Sequence, residues 1–330
     1  MVTCHVNPDG DAVAAMLALS SSLRLARWDA RAISPAPVPQ SYRFLPGWES
    51  IAVYPSDDPD GPASSAIRDV VTGAGAFICL DSSDLTRLGS LYLDHARQFE
   101  TSIVVNIDHH PSNSLFGTLN LVDPASAAVC EQLAVLMEQE DLPVTEEIAT
   151  SLLVGILTDT LGFRTPATTA RTLRVAAGLM ERGASLSRIS ERIFNTRSPR
   201  TLRLWGSVLS RTRVQDGLVW ADITEEMLKE CDADLEDADT LVDFIAGVPQ
   251  ARAAFLFSEQ EGQVRVSMRT SRDLDAAALA RTFGGGGHTR AAGCTVEGSM
   301  AEVQALVMGE ARRRLGLAAT RGEEQQPRRA

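Results

Sequence analysis

The chain has 330 residues, a net charge of −12 at pH 7 and a hydrophobic fraction of 44%. This length exceeds one ordinary hydrophobic core and suits two domains. The acidic balance argues against a protein that grips long duplex DNA, because that affinity comes largely from neutralising phosphates with basic groups. A small anion, drawn into a local positive pocket, fits better.

The sequence also argues against a membrane or secreted protein. No apolar run approaches the ~20 residues of a membrane helix, and the first residues, MVTCH, do not resemble a signal peptide. The five cysteines are scattered without a CxxC pair, which is typical of reduced core thiols rather than of disulfides or zinc ligands. We therefore predict a cytoplasmic protein with no membrane partner.

In the first 165 residues, short β-rich runs alternate with helical stretches. The predicted strands are VTCHV, AFICLD and SIVVNID, and a predicted helix, AVAAMLALSSSLRLA, follows the first of them. Strands separated by helices indicate a parallel sheet with helices on both faces. Ligands of such sheets bind beyond the carboxyl ends of the strands.

The remaining sequence predicts more helices and then a second set of strands. Helical patterns cover residues 125–161, 169–183, 187–209, 238–245, 275–283 and 300–315. Predicted strands are LVWADI, AAFLF and VRVSM, and a glycine run, GGGGH, separates the last two helices.

These elements predict an α/β protein of two domains. An N-terminal parallel-sheet domain covers residues 1–183, and a helical linker covers 184–216. A smaller α/β C-terminal domain covers 217–316, and the polar stretch 317–330 is a predicted disordered tail.

Polar residues follow the predicted strands of the first domain. His5, Asp9 and Asp11 come after the first strand, and the glycine between the two aspartates allows a tight turn. A Pro-Asp-Gly turn with a helix-capping aspartate is the structural alternative for this segment alone. Asp81 follows the second strand, where an ordinary cap is again an alternative.

Two further segments strengthen the case for a site. Asp108, His109 and His110 follow the third strand, in a chain with only five histidines. Asp159 interrupts an apolar helical stretch, and a buried aspartate is rare unless it is paired or bound to a metal. His95 matches no such segment and is interpreted as an ordinary surface helix residue.

Several carboxylates at one sheet edge repel each other unless cations neutralise them. The donors are oxygen and imidazole without thiolate, which favours Mn²⁺ or Mg²⁺ over structural zinc. So many donors exceed the needs of one catalytic ion and indicate a pair of ions that share a carboxylate. Such a pair activates water and points to hydrolysis of a phosphate ester or anhydride. The candidate ligands are His5, Asp9, Asp11, Asp81, His109 and Asp159.

The four polar segments resemble, in order and form, the motifs of the DHH phosphoesterase superfamily, and Asp108-His109-His110 is the motif that names it. The second half resembles the DHH-associated domain through two signatures, Ser267-Met268-Arg269-Thr270 and GGGGH at 284–288. The sequence departs from the family pattern at Ala14 and Ala15, where glycine and serine are frequent.

The resemblance implies a role for each matching residue. His5, Asp9 and Asp81 would hold one Mn²⁺, while Asp11, Asp81, His109 and Asp159 would hold the other, with Asp81 as the bridge; Mg²⁺ and Co²⁺ are alternatives. His110 would face the scissile phosphate, and Asp108 would orient an imidazole.

In the second domain, the resemblance implies a substrate-binding role. Arg269 and His288 would hold the far phosphate or the terminal nucleotide. The backbone N–H groups of Gly285, Gly286 and Gly287 would approach a phosphate closely.

By resemblance, a chain of this build is a nanoRNase and pAp phosphatase that acts on nanoRNA, pApA, pAp or cyclic di-AMP as a homodimer. A RecJ-like single-strand exonuclease is the first alternative, although such proteins are longer. A family II inorganic pyrophosphatase is a second, although it lacks the GGGGH loop. A catalytically inactive nucleotide-binding sensor is the alternative from another functional class.

Overall fold

The structure is a computed structural model that describes residues 1–54, 62–195, 198–238 and 240–317. It divides into two compact units, Met1–Thr196 and Arg197–Ala330. The predicted linker, 184–216, is therefore shared between the two units. The predicted disordered tail lies outside the described residues from position 318 onward.

The first unit is built around a parallel sheet. Its described strands are β1 Val2–Cys4, β2 Ile33–Ser34, β3 Ala52–Val53, β4 Ala76–Leu80, β5 Ile103–Asp108 and β6 Leu119–Val122. Its described helices are α1 Gly10–Leu25, α2 Pro62–Gly73, α3 Ser90–Thr101, α4 Val129–Gln139, α5 Glu146–Asp159, α6 Ala170–Glu181 and α7 Leu186–Ser190. The sheet order is β1-β4-β5-β6 with every pair parallel, and β2 and β3 form a separate parallel pair.

Both faces of this sheet are covered, because alternate residues of a strand point to opposite sides. Ile78 and Leu80 of β4 pack into the core that contains α1, α4 and α5. Phe77 and Cys79 pack into a second core with Leu91 of α3 and Val71 of α2. The prediction of a parallel sheet between helices is confirmed, and the carboxyl ends of the strands remain open at one edge.

Two predicted helical stretches are interrupted. The stretch 125–161 forms α4 and α5, separated by a turn that contains Pro143 and Asp141, whose φ is +50°. The stretch 187–209 is wrong as one helix, since α7 gives way to a π-helical turn at Glu191–Asn195. A new helix then starts at Pro199, with the Ser198 side chain as its N-cap.

The second unit is a mixed sheet with helices on both faces. Its described strands are β7 Arg213–Gln215, β8 Leu218–Ile223, β9 Ala253–Gln260, β10 Gln263–Thr270, β11 Gly286–Gly287 and β12 Ala291–Glu297. Its described helices are α8 Pro199–Leu209, α9 Glu225–Cys231, α10 Leu241–Ile245, α11 Ala276–Arg281 and α12 Met300–Arg314. The order is β11-β12-β10-β9-β8-β7, with β8 and β9 parallel and the other pairs antiparallel.

The three strands predicted for this region are confirmed, but β12 was not predicted. Its sequence, AAGCTVE, has small and polar residues and lacks a clear apolar alternation. Pairing with β10 and β11 makes it a strand. None of the helices in the described ranges combines the length and apolar character needed to cross a membrane.

Candidate active site

Three neighbouring strands of the first unit end at the same sheet edge. His5 directly follows β1, Asp81 follows β4, and His109 and His110 follow β5. Because β1, β4 and β5 are adjacent and parallel, these residues meet at one edge. Asp81 has a φ of +53°, a conformation that short polar side chains tolerate better than branched ones.

Two helices bring the remaining aspartates to this edge. Asp9 is the N-cap of α1, where its side chain accepts a hydrogen bond from the Ala12 N–H at 3.0 Å. Asp11 is the second residue of α1, and Asp159 is the last residue of α5. A side chain at Gly155 would collide with Asp11 and Cys130, so this glycine permits the close packing of α1, α4 and α5.

The six residues lie in two groups of three. In the first ligand group, donor atoms of His5, Asp9 and Asp81 all lie within 4.8 Å of one another. In the second ligand group, the same is true of donor atoms of Asp11, His109 and Asp159.

Asp81 belongs to the first ligand group and also lies close to the second. Its Oδ2 is 3.4 Å from His5 Nε2, and its Oδ1 is 3.6 Å from His109 Nε2. His109 Nε2 is also 3.2 Å from Asp159 Oδ2. One carboxylate therefore faces an imidazole on each side, as a residue that bridges two ions would.

Backbone carbonyls set the orientation of two imidazoles. His5 Nδ1 lies 2.6 Å from the carbonyl oxygen of Val6, and His109 Nδ1 lies 3.3 Å from that of Ser126. A carbonyl oxygen only accepts, so each Nδ1 carries the proton and donates it. Each Nε2 is then the nitrogen that faces the carboxylates, and it can bind a metal once it has lost any proton of its own.

Asp108 is fully buried and orients the two histidines that follow it in the sequence. Its Oδ1 accepts from the His109 backbone N–H at 2.8 Å and lies 2.7 Å from His110 Nδ1. Its Oδ2 accepts from Asn113 Nδ2 at 2.6 Å, and its backbone oxygen accepts from Gln132 Nε2 at 2.9 Å. With both side-chain oxygens occupied, Asp108 suits orientation better than metal binding.

The charges at this edge perturb one another strongly. Burial raises the pKa of the Asp11 carboxyl, and the nearby charges of Asp159 and Asp81 raise it further. Burial opposes a charge on His5, but the hydrogen bond and charge of Asp81 outweigh it and raise the pKa of His5 to about 9. Burial likewise opposes a charge on His109, while Asp159 and Asp81 raise its pKa well above 6.5.

Divalent cations fit these residues. Within the described chain, the buried Asp81 Oδ1 accepts no hydrogen bond, so the oxygen has an unused lone pair that faces the site. Burial and the charges of Asp159 and Asp81 raise the pKa of the Asp11 carboxyl, and a bound cation would stabilise the ionised carboxylate. The donors of both groups are oxygen and imidazole nitrogen, which suit Mn²⁺ and Mg²⁺.

The residues predicted to bind substrate lie in the second unit. Arg269, near the end of β10, forms a two-pronged ion pair with Asp243 of α10: Nε donates to Oδ1 at 2.6 Å and Nη2 to Oδ2 at 3.1 Å. Asp243 was not singled out in the sequence, because nothing in its own segment, TLVDFI, marks it. The guanidinium is therefore held in place by a partner some 26 positions earlier in the chain.

The glycine run has a defined structure. Gly286 and Gly287 form β11, which pairs with β12, and Gly287 has a φ of +139°. A side chain at Gly285 would collide with the Gly293 carbonyl and with Cys294. The His288 backbone N–H donates to the Ala291 carbonyl at 2.7 Å, which closes a tight turn after the run.

His95 differs from its prediction as a surface residue. It lies in α3 with only 7% of its surface exposed, and its ring packs edge-on against Tyr54 at 5.4 Å between centroids. The polar residues Asp94, Arg97 and Gln98 surround it in the sequence, so nothing in the segment itself indicates its burial.

Comparison with known proteins identifies the family. Residues 1–156 match the DHH family, N-terminal domain, and residues 223–311 match the DHHA1 domain. The chain is 35% identical, over 90% of its own length and 84% of the relative's, to the bifunctional oligoribonuclease and PAP phosphatase NrnA of Thermus thermophilus. It belongs to the DHH family.

This DHH-family phosphoesterase has further relatives. It is 25% identical to the protein of the same name from Bacillus subtilis, over 88% of this chain and 87% of the relative. Its fold is that of an exopolyphosphatase-related protein from Bacteroides fragilis, with a TM-score of 0.86 at 24% identity, covering 94% of this chain and 91% of that one.

Proposed function

We propose that this phosphoesterase holds two Mn²⁺ ions and hydrolyses short nucleotides. The substrates we propose are nanoRNA dinucleotides such as pApA and the nucleotide pAp, with cyclic di-AMP as a further candidate. The observation that carries the proposal is the pair of ligand groups on either side of Asp81. The printed names of the Thermus thermophilus and Bacillus subtilis relatives support the substrate class.

In this proposal, the first ligand group would hold one ion and the second would hold the other, with Asp81 able to contribute to both. When bound, the ions supply an activated water at neutral pH and offset the negative charge of the phosphoryl group. The fold supplies the rest: α1, α5 and the three strand ends fix the donors, and the Val6 and Ser126 carbonyls fix the imidazoles.

We propose that His110 stabilises the charge that develops on the phosphate. Burial opposes a charge on this ring, but Asp108 and Asp81 raise its pKa, so the ring holds a proton more firmly than an isolated histidine. The bond to Asp108 fixes Nδ1 and directs Nε2 away from that carboxylate. Water adds to phosphorus, the P–O bond to the leaving group breaks, and the leaving oxygen gains the proton that water loses, which releases a nucleoside monophosphate. From pAp, the same attack on the 3′-phosphate yields AMP and inorganic phosphate.

We propose that the second unit binds the rest of the nucleotide, through Arg269, His288 and the backbone of Gly285, Gly286 and Gly287. Open space beside Gly286, where a side chain would stand, supports this role, since a loop without side chains lets N–H groups approach a phosphate. We also propose a cytoplasmic location, where the five buried free cysteines would stay reduced.

The test is an assay of the purified full chain with Mn²⁺ against pAp, pApA, cyclic di-AMP and a 24-mer RNA. We expect turnover of pAp or pApA, and slower cleavage of the 24-mer than of the dinucleotide. Faster cleavage of the 24-mer would overturn the length limit in favour of an exonuclease. Nucleotide binding without turnover, in the native chain and in Asp81→Ala alike, would instead indicate a sensor.

A further inference from the structure

The segment 123–130 follows β6 and includes the first two residues of α4, and it contacts only part of the site. Its Ser126 carbonyl accepts from His109 Nδ1 at 3.3 Å. Its Val129 and Cys130 backbone N–H groups donate to Asp11 Oδ2 and Oδ1 at 2.6 and 3.0 Å. This segment therefore holds two of the three members of the second ligand group.

The first ligand group is independent of this segment. Across the described residues, no hydrogen bond or ion pair joins segment 123–130 to the side chains of His5, Asp9 or Asp81. A disturbance of the segment should therefore reach the second ligand group directly and the first only indirectly, through Asp81 or through the first turn of α1.

A single arginine of α6 holds the segment in shape. Arg171 Nη1 donates to Asp123 Oδ2 at 3.0 Å, and Nη2 donates to the Ser126 hydroxyl at 3.2 Å. Its Nε lies 3.1 Å from Oε1 of Glu131, a carboxylate with 0% exposure. The Arg171 side chain thus contacts both ends of the turn 123–126, which carries the Ser126 carbonyl. It also links this turn to the carboxylate of Glu131 in α4.

Glu131, which lies in α4, connects the same turn to α4 and α6. Its Oε2 accepts from the Ala127 backbone N–H at 2.9 Å and from the Thr172 hydroxyl at 3.0 Å. A fully buried carboxylate is costly unless it is paired and hydrogen-bonded, and Arg171 supplies the charge. Arg171 faces two carboxylates, Asp123 and Glu131, so its loss would leave both without this cation.

We infer that Arg171 is a positioning residue for the second ligand group: it holds segment 123–130, and through it His109 and Asp11, without touching substrate or ion. Residues that only orient metal ligands are worth about 10- to 100-fold in metal affinity. Loss of Arg171 should therefore weaken one of two ions selectively. This inference rests on the proposed two-ion site.

The experiment is a titration of the metal-free full chain with Mn²⁺, counting free ions by their electron paramagnetic resonance signal. We expect two bound ions in the native chain. Arg171→Ala should weaken one of them about 10- to 100-fold and leave the other unchanged. Arg171→Lys keeps the charge and should weaken the same ion less, which covers the case in which the alanine variant folds poorly. Arg174→Ala, an exposed arginine of the same helix, is the matched control and should bind as the native chain does.

Two double variants show which ion Arg171→Ala affects, since each combines it with a substitution in one ligand group. Asp9→Asn keeps a good helix cap but impairs the first ligand group, so the remaining ion should be sensitive to Arg171→Ala. Asp159→Asn impairs the second ligand group, so the remaining ion should be insensitive. Equal losses in both backgrounds, or none in the Asp9→Asn background, would overturn the role of Arg171. Fewer than two ions in the native chain would overturn the two-ion proposal and this inference with it.

Discussion

The two candidate binding regions of this chain are constructed differently. At the sheet edge of the first unit, strand ends and helix ends deliver six charged or imidazole side chains, and most of them are buried. In the second unit, the glycine run offers only backbone groups for binding, and Arg269 is held by one ion pair with Asp243. Loss of one side chain should thus affect chemistry most in the first unit and affinity or stability most in the second.

Asp81→Asn should produce the largest effect. Asp81 faces both His5 and His109, so an amide here removes a negative charge from both ligand groups. We expect turnover of pApA to fall by more than about 100-fold, because residues that merely orient metal ligands are already worth about 10- to 100-fold. Steady-state kinetics at saturating Mn²⁺ measure this. Asp69→Asn, the same change on an exposed face of α2, should leave turnover unchanged. Native-like turnover in Asp81→Asn would contradict the bridging role.

Asp108→Asn should give a smaller loss with a distinctive pH profile. The Asp108 charge helps to raise the pKa of His110, so its removal should lower that pKa. We expect kcat to fall about 10-fold and the alkaline limb of the profile to move to lower pH, with KM little changed. Kinetics between pH 5 and 9 measure both. If the alkaline limb of the pH–rate profile did not move, Asp108 would not be the residue that keeps His110 protonated.

Arg269→Ala should act on affinity instead. We expect KM for pApA to rise about 10-fold with a smaller change in kcat, because a charge-assisted hydrogen bond contributes about 1.5–3 kcal/mol. Arg265→Ala is the matched control, since Arg265 lies four residues earlier on the same strand and is exposed. A change in kcat alone would place Arg269 with the chemistry and weaken the contrast between the two units.

Removal of metal should reverse the pH dependence of stability. Burial opposes a charge on His5, but Asp81 raises its pKa to about 9, above the 6.5 of an unfolded chain. Its stabilising contribution is therefore complete below pH 6.5 and is lost as the pH rises through about 9. The chelated chain should lose stability across that interval, whereas Mn²⁺, which competes with these protons, should bind more tightly. Chemical unfolding with and without Mn²⁺ gives the slope of the free energy of unfolding against pH for each form. Parallel slopes would contradict the predicted difference between the two forms.

The smallest effect concerns the glycine run. Gly285→Ala places a methyl group against the Gly293 carbonyl and Cys294, and we expect it to destabilise the chain by about 1–3 kcal/mol. Gly286→Ala meets open space and should be nearly neutral. Urea unfolding of the two variants provides the comparison. Equal stabilities would mean that the run is looser than its pairing with β12 indicates.

The sequence predicted the sheet edge well because parallel strands impose it. His5, Asp81 and His109 each follow an apolar run, and the adjacency of parallel strands brings them together whatever the intervening loops do. The partners of these residues could not be predicted. Asn113 and Gln132 reach Asp108 across turns, and Asp243 reaches Arg269 from another element, so only the folded chain reveals them.

One backbone break was visible in the sequence, whereas one strand was hidden. Residues 138–147, EQEDLPVTEE, are mostly polar and contain Pro143, so the break between α4 and α5 could have been predicted. The strand β12 exists because β10 and β11 supply its hydrogen bonds, and its composition does not favour it. Local sequence determined the positions of the donors, while long-range pairing determined how they are held.

We propose that two ions would occupy one site, on two ligand groups that share Asp81. Anomalous diffraction at the manganese edge, on crystals of the full chain grown with Mn²⁺, is the decisive measurement for this site. We expect two peaks at the sheet edge, one beside His5 and Asp9 and the other beside His109 and Asp159, with Asp81 touching both. A single peak there, or peaks that Asp81 does not touch, would contradict the claim.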